Sequence, residues 1–355
     1  MVGTGVEKMS EKRLGQREFG ADLIRVIAVL MLLVLHFYLR NGFYYKEIRD
    51  GWGFLAICVR FIVYCCVPIF MVLTGYLKCG KPWTLTYYRS ILPILTSYVI
   101  ISLIHLIYKV FYLKVSMPAW EWLLQFLSFK IANYSWYVGM YIGLFLISPL
   151  LNLAWNACSK KWQYRGIVLT MAAITSLPAT VNKITAPDYT ILPAYFTSFY
   201  YVTYYFIGCY IKTCRPKIRR SFCFLGIAAV SLVTALINIL TRTEPGSFHK
   251  GYSPGYSDIP IMIITSLIFI ALYECRTERV RLKKAAAFMS GIVLEIYLLS
   301  YLFDTNIYTK FQASYPMSYY IPLGFVMVTS VFILASLAAY PVNRISRAIY
   351  NKLCK

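Results

Sequence analysis

Asp22, Arg25 and His36 lie in one otherwise apolar run, and ionisable groups placed so are the first candidates for chemistry. Ten residues separate Arg25 from His36. At about 100° and 1.5 Å per residue, a helix carries both on one face, about 16 Å apart along its axis. They cannot touch, so the pair is no direct dyad. It suits the two ends of one elongated ligand, with an anionic group at Arg25 and a base at His36. Asp22, three residues before Arg25, is placed to pair with it or orient it. Blander roles exist for both: an arginine near a helix end snorkels to lipid phosphate, and a lone buried histidine is commonly a hydrogen-bonded packing group. The shared face favours the functional reading of His36.

His105 and Glu295 also fall inside apolar runs and are auxiliary candidates, either of them a partner for His36. Arg89 follows Tyr87 and Tyr88 at the mouth of a third run, where a cation suits a phosphate group. No set of His, Cys and Asp has metal-ligand spacing, so no metal is expected.

The elements that must position these groups follow from hydropathy. Of 355 residues, 59% are hydrophobic and only 14% charged, against about 25% charged in soluble domains. The apolar residues gather in runs near or above the roughly 20 needed to cross a bilayer. The runs are 22–39, 53–77, 91–113, 134–155, 166–182, 192–211, 221–241, 258–274, 286–303 and 318–341. They do not alternate as barrel strands do, and backbone in lipid must be paired within its own segment. The expectation is an all-α polytopic membrane protein with ten transmembrane helices. Residues 1–21 would be an N-terminal segment, 22–341 one transmembrane domain and 342–355 a C-terminal tail, with both ends cytoplasmic.

A net charge of +22 would suit nucleic acid if it were clustered on one soluble surface. Instead Lys and Arg concentrate in the N-terminal segment, the even-numbered loops and the tail, as cytoplasmic loops do, although Arg40, Lys46 and Arg49 lie in the first loop. The charge is read as topology and as attraction for anionic membrane lipids, with no nucleic-acid partner. The N-terminal basic stretch and first run lack a small-residue cleavage site, so the run is read as a retained helix. The ten cysteines form no CxxC pair and read as packing residues. Four segments, 40–52, 114–133, 242–257 and 304–317, are long enough to make a surface on the outer side.

Asp22-Leu23-Ile24-Arg25, ten residues and then His36 resemble the opening signature of the integral-membrane acyltransferase 3 family. Val67 through Leu77 is similar to the family's second-helix motif, and Tyr87-Tyr88-Arg89-Ser90-Ile91-Leu92-Pro93 to its basic entry to the third helix. Ser135-Trp136-Tyr137-Val138 through Leu151 resembles the fourth-helix segment, and Glu295 through Ser300 the late tyrosine-leucine motif. The likeness runs from about residue 17 to 303. It implies acyl transfer, usually acetyl, from cytoplasmic acyl-CoA as donor substrate to a hydroxyl of a cell-surface glycan or lipid-linked acceptor, in the cell membrane and with no bound cofactor. Carried over by position, His36 would be the catalytic histidine, Arg25 the essential arginine and Arg89 the basic residue of the third-helix motif. Two positions depart. A second arginine often stands where this chain has Thr86, and the late motif commonly ends in His where this chain has Ser300. Two other classes stay open on the residues alone: a transporter or flippase of a lipid-linked glycan, and a non-catalytic membrane sensor on the same fold.

Overall fold

A computed structural model describes residues 18–48, 50–184, 190–242, 246–309 and 317–353. Among them are fourteen α-helices and no strand. The opening stretch, Arg49 and most of the loop before the last helix lie outside the described residues. The helices are α1 Phe19–Arg40, α2 Gly51–Val63, α3 Cys66–Lys78, α4 Leu85–Arg89, α5 Leu92–Ile107, α6 Ala119–Leu127 and α7 Trp136–Asn156. They continue as α8 Lys161–Ile184, α9 Tyr200–Cys214, α10 Arg220–Leu240, α11 Ile259–Leu272, α12 Val280–Ser290, α13 Val293–Ile307 and α14 Tyr320–Leu353.

Among the described residues, seven helical stretches are long and apolar enough to cross a membrane, or eight if the bent pair α12–α13 is one span. The chain is a multi-pass membrane protein. The two remaining runs, 192–211 and 258–274, carry helices of 15 and 14 residues. At 1.5 Å per residue these cover roughly 22 Å, less than the ~30 Å of hydrocarbon. Conversely, α14 continues through Pro341 to Leu353, 34 residues in all, so the expected tail is the end of this helix.

Irregularities in the helices have identifiable causes. Pro68 has no N–H for the Tyr64 carbonyl, and the chain breaks between α2 and α3 at that turn. Pro149 likewise leaves the Phe145 carbonyl without its helical donor, and the Tyr87 hydroxyl supplies one at 2.8 Å. Two of the stretches read separately in the sequence are thereby joined. Helices α12 and α13 meet at 63° around Gly291. Asn343 and Arg347 of α14 donate to the Gly291 carbonyl at 3.0 and 3.3 Å, which satisfies backbone exposed by the bend.

The first helix is the hub, packed against α2, α3, α11, α12, α13 and α14. Lys212 of α9 pairs with Glu18 at its start, 3.0 Å away. Burial acts to raise the Glu18 pKa, but the hydrogen bond and charge of Lys212 and the Tyr76 hydroxyl hold it below its ordinary value. Helices α3 and α9 approach most closely at Gly75 and Gly208, where a Cβ on either residue would overlap the other helix's backbone. Small residues permit such contact between membrane helices, where dispersion and not hydrophobic burial drives association.

The segment expected as an outer loop at 114–133 instead contains α6, which is seated on α5. Tyr98 donates its hydroxyl to the Phe126 carbonyl at 2.5 Å and stacks on that ring. The opposite face of α6 exposes Trp120, Leu123, Leu124 and Leu127. Lys114 and Phe129, on either side of it, have left-handed backbone (φ 56° each), and the chain then delivers Tyr134 to the start of α7.

Gly75→Val and Gly208→Val are each expected to destabilise the protein by about 1–3 kcal/mol or more through overpacking. Gly166→Ala, with open space around its Cβ, should be neutral or stabilising by up to ~1 kcal/mol. Thermal unfolding in detergent measures both; equal midpoints for all three would refute the close crossing.

Candidate active site

Two polar clusters occupy the two ends of α1. At its start, Arg25 Nη1 donates to Asp22 Oδ1 at 2.9 Å and lies 3.1 Å from Ser290 Oγ, and Ser290 donates to the same Asp22 oxygen at 2.7 Å. The spacing read from the sequence makes the Asp22–Arg25 pair, and the bend between α12 and α13 brings Ser290 to it. This closed triangle offsets the cost of burying the Asp22 carboxyl group.

At the other end, His36 is buried under the ring of Tyr134, with centroids 3.8 Å apart and the planes 28° from parallel. Its Nδ1 lies 3.4 Å from Asp304 Oδ2, within ion-pair range, yet it makes no hydrogen bond among the described residues. Asp304 is fully enclosed. It accepts the Tyr134 hydroxyl at 2.6 Å and the Thr305 hydroxyl at 3.2 Å. Arg40, one turn beyond His36 on the same face, donates to the Tyr134 oxygen at 3.4 Å and lies over the Tyr301 ring. The Tyr297 hydroxyl donates to the Tyr134 carbonyl, and its ring centroid is 6.3 Å from that of His36. A carboxylate that closes to hydrogen-bond distance of Nδ1 would select the Nδ1–H tautomer and leave Nε2 as the basic atom.

Between the clusters lies an apolar cavity of about 270 Å³. Arg25, Lys78 and Ser290 stand at one end. Leu32, Leu73, Leu77, Ile94 and Leu294 form its walls, and Val67, Phe70, Tyr137 and Tyr297 its far end. Along α3 it runs from Lys78 to Val67, eleven residues, about 16 Å at 1.5 Å each, which equals the axial span from Arg25 to His36. Among the described residues, Tyr297 alone belongs to both the cavity lining and the rings around His36.

Other expected residues lie elsewhere. Arg89 is exposed on α4 and does not line the cavity. Lys78 does, bonding Ser90 at 3.0 Å and lying over the rings of Tyr87 and Phe145. Glu295 accepts from Ser97 and Asn343 at 2.7 and 2.9 Å and so joins α13 to α5 and α14, away from His36. His105 bonds the Ile101 carbonyl at 3.0 Å, and its ring centroid lies 5.9 Å from that of Tyr301. Ser300 turns back to its own helix, at the Tyr297 carbonyl. Arg60, buried in α2, packs among the rings of Tyr44, Phe61, Tyr64 and Phe248.

Sequence reasoning missed Asp304, Tyr134, Tyr297, Arg40, Lys78 and Ser290. One signal was present: Tyr297, Tyr301 and Asp304 recur at i, i+4 and i+7, a helical stripe ending in a carboxylate. Reading the span as ending at 303 hid it. Nothing distinguishes Tyr134 among 32 tyrosines.

The multi-pass helical bundle places a histidine–carboxylate pair beside one end of an apolar slot, an arrangement able to move a proton next to a bound ligand. The model of the acyltransferase 3 family's acyltransferase domain matches residues 19–338, and the chain belongs to that family. No curated protein and no solved structure matches it.

Asp304→Asn preserves shape and removes charge; it is expected to lower acyl transfer in membranes about a hundredfold. Tyr134→Phe, which removes one donor to Asp304, should cost less. Wild-type activity in Asp304→Asn would make the carboxylate a packing group only.

Proposed function

We propose that the protein transfers an acyl group, acetyl by family resemblance, from cytoplasmic acyl-CoA to a hydroxyl of a cell-surface glycan or lipid-linked acceptor. The observation that carries the reading is the slot itself, with cations at one end and the His36–Asp304 pair one ring beyond the other. Acyl-CoA has that form: an anionic phosphate head, a long uncharged arm and a terminal thioester. In this reading both termini face the cytoplasm, the protein lies in the cell membrane and the head meets Lys78 and Arg25. Arg89, outside the cavity, is placed for the outlying phosphates.

The reaction balances without a further reagent. Neutral His36 takes the acceptor hydroxyl's proton at Nε2 as the oxygen bonds to the thioester carbonyl carbon. The C–S bond then breaks, and the departing CoA thiolate takes the proton from the imidazolium. Asp304 stabilises the transient charge on His36, while Tyr134, itself held by Arg40, donates to Asp304. Tyr297 stands between slot and base, so the thioester must displace or slide past its ring before reaction. Until then the ring shields His36 from the slot.

The direct test is transfer of radiolabelled acetyl from acetyl-CoA in membranes, with His36→Ala compared at matched expression. Label entering a glycan or lipid fraction only with His36 intact is the expected result and identifies the acceptor class; undiminished transfer by His36→Ala would overturn the mechanism. Substrate movement across vesicles without acyl-CoA binding would favour a transporter instead.

Lys78→Gln is expected to raise the KM for acetyl-CoA about tenfold, the worth of one charged hydrogen bond, with kcat little changed. A loss confined to kcat would place Lys78 in the chemistry and not at the phosphate head.

A further inference from the structure

Tyr137 joins the slot to a second group of rings that the acyl-CoA reading leaves unused. It lines the slot and meets Trp136, the first residue of α7, at 6.3 Å between centroids. Trp136 lies 6.1 Å from Tyr256 with the planes 20° from parallel, and Tyr256 in turn stacks on Tyr64 at 4.4 Å and lies 6.2 Å from Tyr200. The other end of α7 is at the cations, where Asn152 donates to the Lys78 carbonyl, so Trp136 stands at the opposite end of the bundle. The segment that delivers Tyr256 is rigidly held. Enclosed Asp258 accepts from Lys183 and from the Gly255 N–H, each at 2.6 Å, and the Tyr204 hydroxyl donates to the Tyr256 carbonyl at 2.7 Å.

The hydroxyl groups separate this cluster from ordinary aromatic packing. Buried tyrosines elsewhere tie theirs down: Tyr87, Tyr98, Tyr204 and Tyr205 all donate to the protein. The hydroxyls of Tyr64, Tyr137, Tyr200 and Tyr256 make no hydrogen bond among the described residues, and neither does the Trp136 N–H. All four tyrosines are partly buried, and Trp136 is 42% exposed. We propose that Trp136 and Tyr256 form the acceptor platform and that it takes a sugar ring; this rests on the acyl-transfer reading above. A sugar has a face of C–H groups and a rim of hydroxyls. The face suits the indole, and the rim suits tyrosine hydroxyls, each of which both donates and accepts. A simple alcohol has one hydroxyl and would leave most of these groups unpaired. Tyr297 stands between platform and base, 6.1 Å from Tyr137 and 6.3 Å from His36, so displacing its ring opens His36 to acceptor and thioester together.

The test measures transfer of labelled acetyl from acetyl-CoA into the endogenous acceptor of native membranes at matched expression. Mild hydrolysis of the wild-type product should release an O-acetylated sugar. Trp136→Leu stays apolar but has no ring to stack, and should lower transfer at saturating acetyl-CoA at least tenfold; Trp136→Phe should recover part of the loss. Tyr256→Phe, which removes a hydroxyl and keeps the ring, should lower transfer about three- to tenfold. The KM for acetyl-CoA should be unchanged in all three. Trp120→Leu, on the exposed face of α6, reports membrane anchoring alone and should match wild type. If Trp136→Leu fails to fold, Tyr256→Phe carries the test. Full transfer by every folded platform variant, an equal loss in Trp120→Leu, a change confined to the KM for acetyl-CoA, or label on a product without sugar each overturns the platform and leaves acyl transfer standing. Wild type that transfers no label from acetyl-CoA overturns the acyl-transfer reading and the platform's role with it.

Discussion

A carboxyl group enclosed in apolar surroundings must have its oxygens satisfied, and Asp304 is the residue around which that requirement organises the outer end of the bundle. The Tyr134 hydroxyl, the Thr305 hydroxyl and the edge of His36 surround it. Each brings an element with it. Tyr134 fixes the start of α7, His36 and Arg40 orient α1, and α13 carries the carboxylate. Replacing the group with an apolar residue would remove the reason these three elements converge. Retaining it gives a histidine whose Nδ1 faces an acid and whose ring is held by stacking.

The inner end solves the same problem differently. Arg25 and Asp22 neutralise one another within one helical turn, and Ser290 closes the triangle. Ser290 is available because α12 and α13 are bent, and the bend persists because α14 donates to the freed carbonyl of Gly291. Helix α14 thus supports the cationic end without lining the cavity. Glu295 has an analogous structural place, linking α13 to α5 and α14 through Ser97 and Asn343. A membrane-embedded carboxyl group is therefore not sufficient to mark chemistry; its partners decide.

The slot between the ends is apolar along its walls and carries Arg25 and Lys78 at one end. Its length follows α3, which lines it from Val67 to Lys78 and rises about 1.5 Å per residue, while α1 contributes Arg25 and Leu32. Gly75 and Gly208 draw α3 onto α9. Pro149 and Tyr87 tie α7 to the short helix α4. These contacts hold α3 and α7, two of the helices that line the slot.

The sequence alone determined the class of this protein, because hydropathy and charge bias are sums over many residues and survive any error in packing. It also determined the helical face shared by Arg25 and His36, and the pairing of Asp22 with Arg25, because both follow from a fixed angle per residue. The order and spacing of its motifs pointed to the family that the residues 19–338 match establishes. The partner of His36 was different. Glu295 and His105 were equally embedded candidates, but which side chain reaches His36 depends on the rotation of α5 and α13 about their axes, and that is set by contacts hundreds of residues apart in the chain. Only the tertiary structure places Asp304 and Tyr134 at His36, substitutes Lys78 for Arg89 at the slot, and stands Tyr297 between slot and base. Periodicity specifies the face of a helix; it does not specify which neighbour that face will meet.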